Sequence, residues 1–396
     1  MGIKIAISAG EVSGDEHAAK LALALRSIIP GVELRAMGGR HLRAAGAEIV
    51  VDSERYASAM GFVEVLSQLG KLRQALKQMK QLLRQWRPDI LIVVDFPDFH
   101  FLLTKYAKRL GIKTLYFIIP KMWVWRSGRI EHFKRYIDHA ACIFPFERKF
   151  CLEHGFQAAT YVGHPFAREF ANPPQFNRRE FLEALGLSAK EPVVALFPGS
   201  RQGELKRHLD PMAQGFIALS KRIPAVQGLI PVPSTIDPAA VRSAFPTDSA
   251  VRVVQGNSIE VLRAADAGLI KSGTSNLQAS FCELPFVMFF EASKLTEWIV
   301  KTFVKTTQYS IVNLLRPNTV TELIQEEVNP DRISLELERL LVDSEAKRAL
   351  RTGLAEVNKT LLSFDTFPEC TAEMSPYERT AMIARQLVKA HSKDAG

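Results

Sequence analysis

Two tandem α/β domains, each built on a doubly wound parallel sheet and followed by a helical tail, are the fold this sequence predicts. Three observations predict it. Short apolar runs alternate with amphipathic helical patterns from the first residues. A polar stretch with adjacent prolines interrupts that alternation once, after which it restarts. Beyond about residue 330 only helical patterns remain. A length of 396 residues suits two or three domains, and 47% hydrophobic with 23% charged residues describes a globular chain with full-sized cores.

In chain order, "IKIAIS" (3–8) leads through "AGEVSGDEH" into the helical "AAKLALALRSI", and "MGG" (37–39) ends the next strand. "DILIVVD" (89–95) leads through "FPDF" into "HFLLTKYAKRLG"; "KTLYFII" (113–119), "AACIFPF" (140–146) and "TYVGHP" (160–165) follow. These are continuous apolar runs, as strands covered on both faces should be. "AREFANPPQFNRREFLEALGLSAKEP" (167–192) reads as a domain junction. The alternation resumes with "VVALFPGSR" (193–201), "VQGLIPVP" (226–233), "VRVVQG" (251–256), "AGLIKSGTS" (267–275) and "PFVMFFE" (285–291). Pro376 just after Ser375, with Glu378 three residues beyond the serine, marks the start of the last helix. The expected domains are 1–168 and 169–345, with helices over 346–396.

A formal charge of +9 points to an anionic partner: nucleic acid, a phosphorylated metabolite or an acidic membrane surface. No block of five or six like charges occurs, which argues against a nucleic-acid-binding tail. Cys142, Cys151, Cys282 and Cys370 are scattered, without CxxC spacing or a close histidine. Neither a zinc site nor a disulfide framework is expected, which fits a reducing compartment. The N-terminus carries early acids and does not read as a signal peptide. No run approaches eighteen apolar residues, so any membrane contact is expected to be peripheral.

In sheets of this kind ligands sit beyond the C-terminal ends of the strands, where the unusual loops of this chain lie. In "FPGSR" (197–201), Gly199 and Ser200 let backbone N–H groups approach an oxyanion, and Arg201 adds a planar charge suited to phosphate. "KSGTSNLQ" (271–278) is a second glycine–hydroxyl turn in the same domain, and two such turns point to a diphosphate site. Neither the P-loop nor the G-x-G-x-x-G pattern occurs. "DFPDFH" (95–100) puts Asp95 and Asp98 at a strand end, as a general base, a metal ligand or, for Asp98, a helix cap. No further carboxylate–histidine cluster offers a divalent metal an oxygen cage. "AGEVSGD" (9–15) crowds Glu11, Ser13 and Asp15 around Gly10 and Gly14; an N-cap accounts for Ser13 or Asp15 but not for Glu11 and both glycines. His164 in "VGHP" reads as structural. Over 66–86, Leu69, Leu72, Leu76, Met79, Leu83 and Trp86 form one apolar stripe among basic residues, expected to pack on the sheet rather than on lipid. "YASAMGFVEVL" (56–66) and "KLTEWIVKTFVK" (294–305) are better candidates for lipid contact.

"AGEVSGD", "MGG", "MGFVEVL", "DFPDF", "PKMWVWRSGR", "PFE" (145–147), "YVGHP", "FPGSR", "KSGTS" and the "NLL…ELIQ" run (313–325) occur in one order. In this the chain resembles the lipid-A-disaccharide synthases, inverting glycosyltransferases of the GT-B fold, which sets two Rossmann-like domains in tandem. The resemblance spans about residues 3–327. It implies that UDP-2,3-diacylglucosamine and 2,3-diacylglucosamine 1-phosphate are joined into a β-1,6-linked disaccharide with release of UDP, without metal or cofactor. It implies work at the cytoplasmic face of the inner membrane, in peripheral contact with it.

The resemblance further implies Asp98 as general base toward the acceptor's 6-hydroxyl, with Glu11 and Arg201 in the catalytic set. The second domain is expected to hold UDP through Gly199, Ser200, Arg201, Ser272, Gly273, Thr274 and Gln278. The first is expected to hold the acceptor and lipid through Ser13, Met60, Gly61, Phe62, Trp123, Trp125, Arg126 and Arg129. The tryptophans would shape a cleft beside the acyl-sugar and the arginines would face an anionic group, against the alternative that the tryptophans pack between sheet and helix. The tail is expected to fold back on the first domain.

Three residues depart from the family pattern. His100 replaces an asparagine and is expected to alter the surroundings of Asp98. Gln278 replaces a glutamate that would hold the uridine ribose, and keeps one weaker acceptor. Thr321 replaces a proline, at what reads as a helix start. Two alternatives stay open: another UDP-sugar enzyme of this fold, such as an epimerase, or a catalytically silent UDP-sugar or lipid binder.

Overall fold

A computed structural model of the chain describes residues 2–55, 62–124, 127–166, 170, 174–292 and 308–394. The chain divides into two compact units, residues 1–165 with 363–396, and residues 166–362.

The first unit is built on a seven-stranded parallel sheet: β1 (Lys4–Ala9), β2 (Glu33–Gly38), β3 (Glu48–Asp52), β4 (Ile90–Val94), β5 (Lys113–Phe117), β6 (His139–Cys142) and β7 (Ala159–Tyr161), in the order β3-β2-β1-β4-β5-β6-β7. Helices α1 (Val12–Ile28), α2 (Arg40–Ala44), α3 (Phe62–Trp86), α4 (Pro97–Arg109), α5 (Ile130–Tyr136) and α6 (Pro145–Glu153) make the crossovers. The apolar runs are apolar because β1 and β4 are central: Ile5, Ala6, Ile7 and all of Ile90–Val94 are fully buried. Burying each such large aliphatic side chain contributes about 1.5–3 kcal/mol. The stripe of α3 is used the same way. Leu72, Leu76, Met79, Leu83 and Trp86, with Ala75 and Leu82, pack into this core, and Lys71, Arg73, Lys77 and Arg84 face outward. β3 escaped sequence reading because it is an edge strand with only Val51 fully buried.

The second unit carries α7 (Arg178–Ala184) ahead of a six-stranded parallel sheet. In chain order come β8 (Val193–Phe197), α8 (Gln202–Arg222), β9 (Gln227–Val232), α9 (Pro238–Arg242), β10 (Val251–Gln255), α10 (Ser258–Ala264), β11 (Ala267–Lys271), α11 (Thr274–Phe281), β12 (Phe286–Phe290), α12 (Ile311–Leu315), β13 (Glu322–Ile324), α13 (Pro330–Val342) and α14 (Ser344–Leu362). The sheet order is β10-β9-β8-β11-β12-β13.

One expectation is corrected here. "ELIQ" is not a helix start: Glu322–Ile324 is the edge strand β13, paired with Met288–Phe290, and the Thr321 carbonyl accepts the Met288 N–H at 2.9 Å. The Glu322 carboxylate ties this strand to the start of α12 by accepting from Tyr309 N–H, Ser310 N–H and Asn313 Nδ2.

The last helix, α15 (Pro376–Asp394), belongs to the first unit and packs on α1 and β5. Ser375 and Glu378 close its N-terminus reciprocally. Tyr377 bonds to His17 Nδ1 at 2.8 Å, and the buried Arg379 donates to the Val162 carbonyl at 2.9 Å. No described helix is long and apolar enough to cross a membrane.

Candidate active site

Each sheet reverses its direction of winding once, between β1 and β4 in the first unit and between β8 and β11 in the second. Such switch points open a crevice at the C-terminal ends of the strands. Four of the loops singled out in the sequence, "AGEVSGD", "DFPDF", "FPGSR" and "KSGTS", leave those four strands.

In the first unit β4 runs into Asp95 and Phe96, both at φ 51°. Two successive non-glycine residues in the left-handed region are strained, by about 1–2 kcal/mol each. The Asp95 carbonyl is held by Tyr116 Oη–H at 2.8 Å and by His100 Nδ1 at 2.5 Å. A carbonyl oxygen only accepts, so Nδ1 carries the proton and Nε2 accepts from the Ser8 hydroxyl, 2.9 Å away. Burial lowers the His100 pKa to about 4, so the ring is neutral near pH 7. This corrects the expectation for His100: both ring nitrogens are committed to β1 and to the strained turn, and none remains for Asp98.

The turn delivers Asp98 to the first turn of α4 with its side chain 80% exposed. Asp98 is not the helix cap, because Phe96 occupies that position without a side-chain bond. Its carboxylate takes Arg129 Nη2 at 2.5 Å, and the same guanidinium lies 5.1 Å from the Phe101 ring centroid. Burial, then the charge of Glu11, pushes the Asp95 carboxyl above its ordinary range. Glu11 and Ser13 are exposed where α1 begins, and Glu11 stands at the N-cap without a side-chain capping bond. Gly10 has a steric reason: a Cβ there would lie 2.2 Å from the Phe96 ring.

Asp15 does other work than the sequence suggested. It is 2% exposed and caps α2 rather than α1, accepting from Gly39 N–H at 2.6 Å and His41 N–H at 2.9 Å. The "SGD" and "MGG" motifs are thus one joint, in which a Cβ at Gly38 or Gly39 would press on the Asp15 carboxylate at 2.8–3.0 Å. His164 is buried, 4.9 Å from Phe144 between ring centroids, with its pKa lowered to about 3 by burial and by His17. Glu147 of "PFE" caps α6 through the amides of Ile143 and Phe144.

Of the acceptor candidates, Ser13, Trp123 and Arg129 are described. Trp123 packs edge-on to Phe146 at 5.0 Å, with a buried Nε1 that finds no hydrogen-bond partner among the described residues. Met60, Gly61, Trp125, Arg126 and the segment 294–305 lie outside the described residues, as does the side chain of Phe62.

In the second unit the turns after β8 and β11 stand side by side, since Ile270 pairs with Phe197. Gly199 has φ +121°, and Arg201 is the exposed N-cap residue of α8. Gly273 and Thr274 open α11, and Gln278 is half-buried one turn along it. Ser272 is less available than its motif implied: its N–H donates to Phe289 O at 2.9 Å and its hydroxyl to Tyr309 O at 3.2 Å. Two residues that sequence reasoning missed join the turns. Lys271 Nζ is 2.8 Å from Glu204 Oε1, and Glu204 Oε2 accepts the Ser200 N–H at 3.0 Å. Behind them, the buried His208 of α8 spans from Pro198 O at 2.9 Å to Glu291 O at 3.1 Å. Only Lys271 was visible in a motif; Glu204 and His208 become neighbours of the turns through the helical repeat of α8.

Residues 5–364 match the family model for lipid-A-disaccharide synthetase. A lipid-A-disaccharide synthase of Myxococcus xanthus is 38% identical over 360 residues, covering 90% of this chain and 93% of the relative. Among solved structures, MurG of Acinetobacter baumannii superposes with a TM-score of 0.56 at 14% identity, over 98% of this chain and 100% of that one. A UDP-GlcNAc 2-epimerase of Neisseria meningitidis bound to UDP-GlcNAc does so with a TM-score of 0.55 at 11% identity, over 91% and 98%. At those identities the structural likenesses establish the fold, which is GT-B-like.

Proposed function

The chain belongs to the lipid-A-disaccharide synthase family, a glycosyltransferase family of lipid A biosynthesis, and from that membership we propose how its residues divide the reaction. The second unit takes UDP-2,3-diacylglucosamine by its nucleotide, and the first takes 2,3-diacylglucosamine 1-phosphate. Asp98 accepts the proton of the acceptor's 6-hydroxyl as that oxygen bonds to the donor's anomeric carbon. The bond from that carbon to the β-phosphate oxygen breaks, and its electron pair leaves with UDP. A placed base of this kind is worth about 10²- to 10⁴-fold in rate. Attack opposite the leaving group inverts the anomeric configuration to β.

Arg201 and the backbone amides of the turns after β8 and β11 face the charge that grows on the diphosphate, each preorganised donor contributing about 3–4 kcal/mol. Glu11, beside Asp95, acts with Asp98. Trp123 lines the acyl-sugar side of the first crevice, and Arg129 moves from Asp98 toward the acceptor's phosphate. Both substrates and the disaccharide product being acylated sugars, the enzyme works in peripheral contact with the inner face of the inner membrane. One arrangement supports this reading above the others: an exposed Asp98 carboxylate held by the largely buried Arg129 beyond the first sheet, and two glycine turns with a lysine and an arginine beyond the second.

The test is UDP release from the donor, with and without acceptor, for wild type and Asp98→Ala, with chelator present throughout. Release that requires acceptor, persists under chelation and collapses in Asp98→Ala is expected. Release without acceptor would indicate an epimerase or hydrolase instead, and release undiminished in Asp98→Ala would remove Asp98 as the base.

A further inference from the structure

Glu204 folds its carboxylate back beneath the turn that opens its own helix. One oxygen accepts the Ser200 N–H at 3.0 Å and the other meets Lys271 Nζ at 2.8 Å. The two side chains are 19% and 20% exposed, so solvent screens the pair only partly. Gly199 makes room for it: a Cβ at that residue would lie 2.4 Å from Glu204 Oε2. Burial raises the Glu204 pKa, but Lys271 and the amides of Ser200 and Arg201 outweigh it and hold the carboxyl below its ordinary range. His208 fixes the turn from behind through the Pro198 carbonyl.

A carboxylate gripped by backbone amides and an ammonium, between the ends of two central parallel strands, is an anion in an anion's place. A diphosphate entering there would need the Ser200 N–H and the Lys271 charge, both of which Glu204 holds. We propose that Glu204 and the donor's diphosphate exchange for these partners: Lys271 is a diphosphate ligand, and Glu204 is the internal competitor that returns to it when UDP departs. This rests on the reading of the second unit as the nucleotide-binding half. The exchange lowers UDP affinity by the stability of the internal pair, and it leaves no half-buried lysine stranded after release.

The experiment is calorimetric titration of the full chain with UDP and, separately, uridine, for wild type, Glu204→Gln, Lys271→Ala and Arg201→Ala, with folding checked by thermal unfolding. Glu204→Gln keeps an oxygen for the Ser200 N–H and loses the charge, so the Kd for UDP falls by about 3- to 10-fold while uridine is unaffected. Lys271→Ala raises the Kd for UDP by about 10-fold, again without effect on uridine. Should Glu204→Gln not fold, Glu204→Asp, one methylene short of Lys271, is expected to tighten UDP in the same direction. UDP binding that is unchanged or weaker in the Glu204 variants, or unchanged in Lys271→Ala, overturns the exchange. If wild type binds UDP and Arg201→Ala weakens it while Glu204→Gln fails to tighten it, the exchange alone falls. If wild type does not bind UDP, the nucleotide-binding reading falls with it.

Discussion

Arg129 donates to the Asp98 carboxylate across 2.5 Å, joining the "DFPDF" and "WRSGR" motifs, 31 residues apart, into one pair of a largely buried guanidinium and an exposed carboxylate. Because the Asp98 side chain is 80% exposed, replacing it removes little packing. Asp98→Asn is expected to lower kcat by about 10²- to 10⁴-fold with the urea midpoint nearly unchanged. A variant that loses stability along with turnover would place Asp98 in the scaffold.

Gly10 and Phe96 give a steric prediction. Gly10→Ala drives a Cβ into the ring of a residue already strained at φ 51°, and is expected to destabilise the first unit by about 1–3 kcal/mol. Turnover should fall with it, because Phe96 immediately precedes the turn that presents Asp98. Phe96→Leu in the Gly10→Ala background should recover part of both losses in urea unfolding and initial-rate assays.

Five histidines of the first unit are kept neutral by burial, with pKa values lowered to about 4 for His17, His100, His132 and His139 and about 3 for His164. The unfolded chain takes up protons at these positions once the pH drops below their ordinary value of 6.5, and the folded chain does not. Their contribution is therefore present above that value and is lost as pH falls toward 4. At pH 5 the fully buried His100 alone should account for about 2 kcal/mol of lost stability. Urea midpoints followed by tryptophan fluorescence at pH 7 and pH 5 should show this drop, with a smaller drop in His100→Asn.

Asn313 carries the equivalent test in the second unit. Its amide donates to Val320 O and to Glu322, and its Oδ1 accepts from the Thr319 and Val320 amides. Asn313→Ala orphans two buried backbone N–H groups and is expected to destabilise by about 2–4 kcal/mol, measured by chemical unfolding. Asn313→Asp, which restores the acceptor but places a second carboxylate against Glu322, should recover little.

How much of this was legible in the chain depended on the range of each interaction. The central strands were legible because strands covered on both faces must be apolar throughout, whereas β3 and β13, at sheet edges, carry no such signature. The strand-end loops were legible because glycines and charges cluster where backbones approach a ligand or each other. What Asp15 does was not, since its partners lie on the β2–α2 turn and only folding brings them near; by local rules it looked like a cap for its own helix. His100 was legible as unusual but not in its effect, which depends on Ser8 and Tyr116 from neighbouring strands. Glu204 resembled any acid in a first helical turn until Lys271 was brought beneath it by strand pairing.

The placement of α15 has a consequence for how the chain is made. Translation delivers residues 1–165 before the second unit, yet the helix that covers α1 and β5 is encoded after the whole of that unit. At about 5–20 residues per second the ribosome needs roughly 10–40 s to cross the intervening segment. Throughout that time the apolar partners of Tyr377, Met382 and Ile383 are without their cover, and the second unit, encoded without interruption, can finish first. The first unit, begun before the second, is therefore completed after it. A circular permutant beginning at Ser363 would reverse that order by making each unit a single uninterrupted run of sequence.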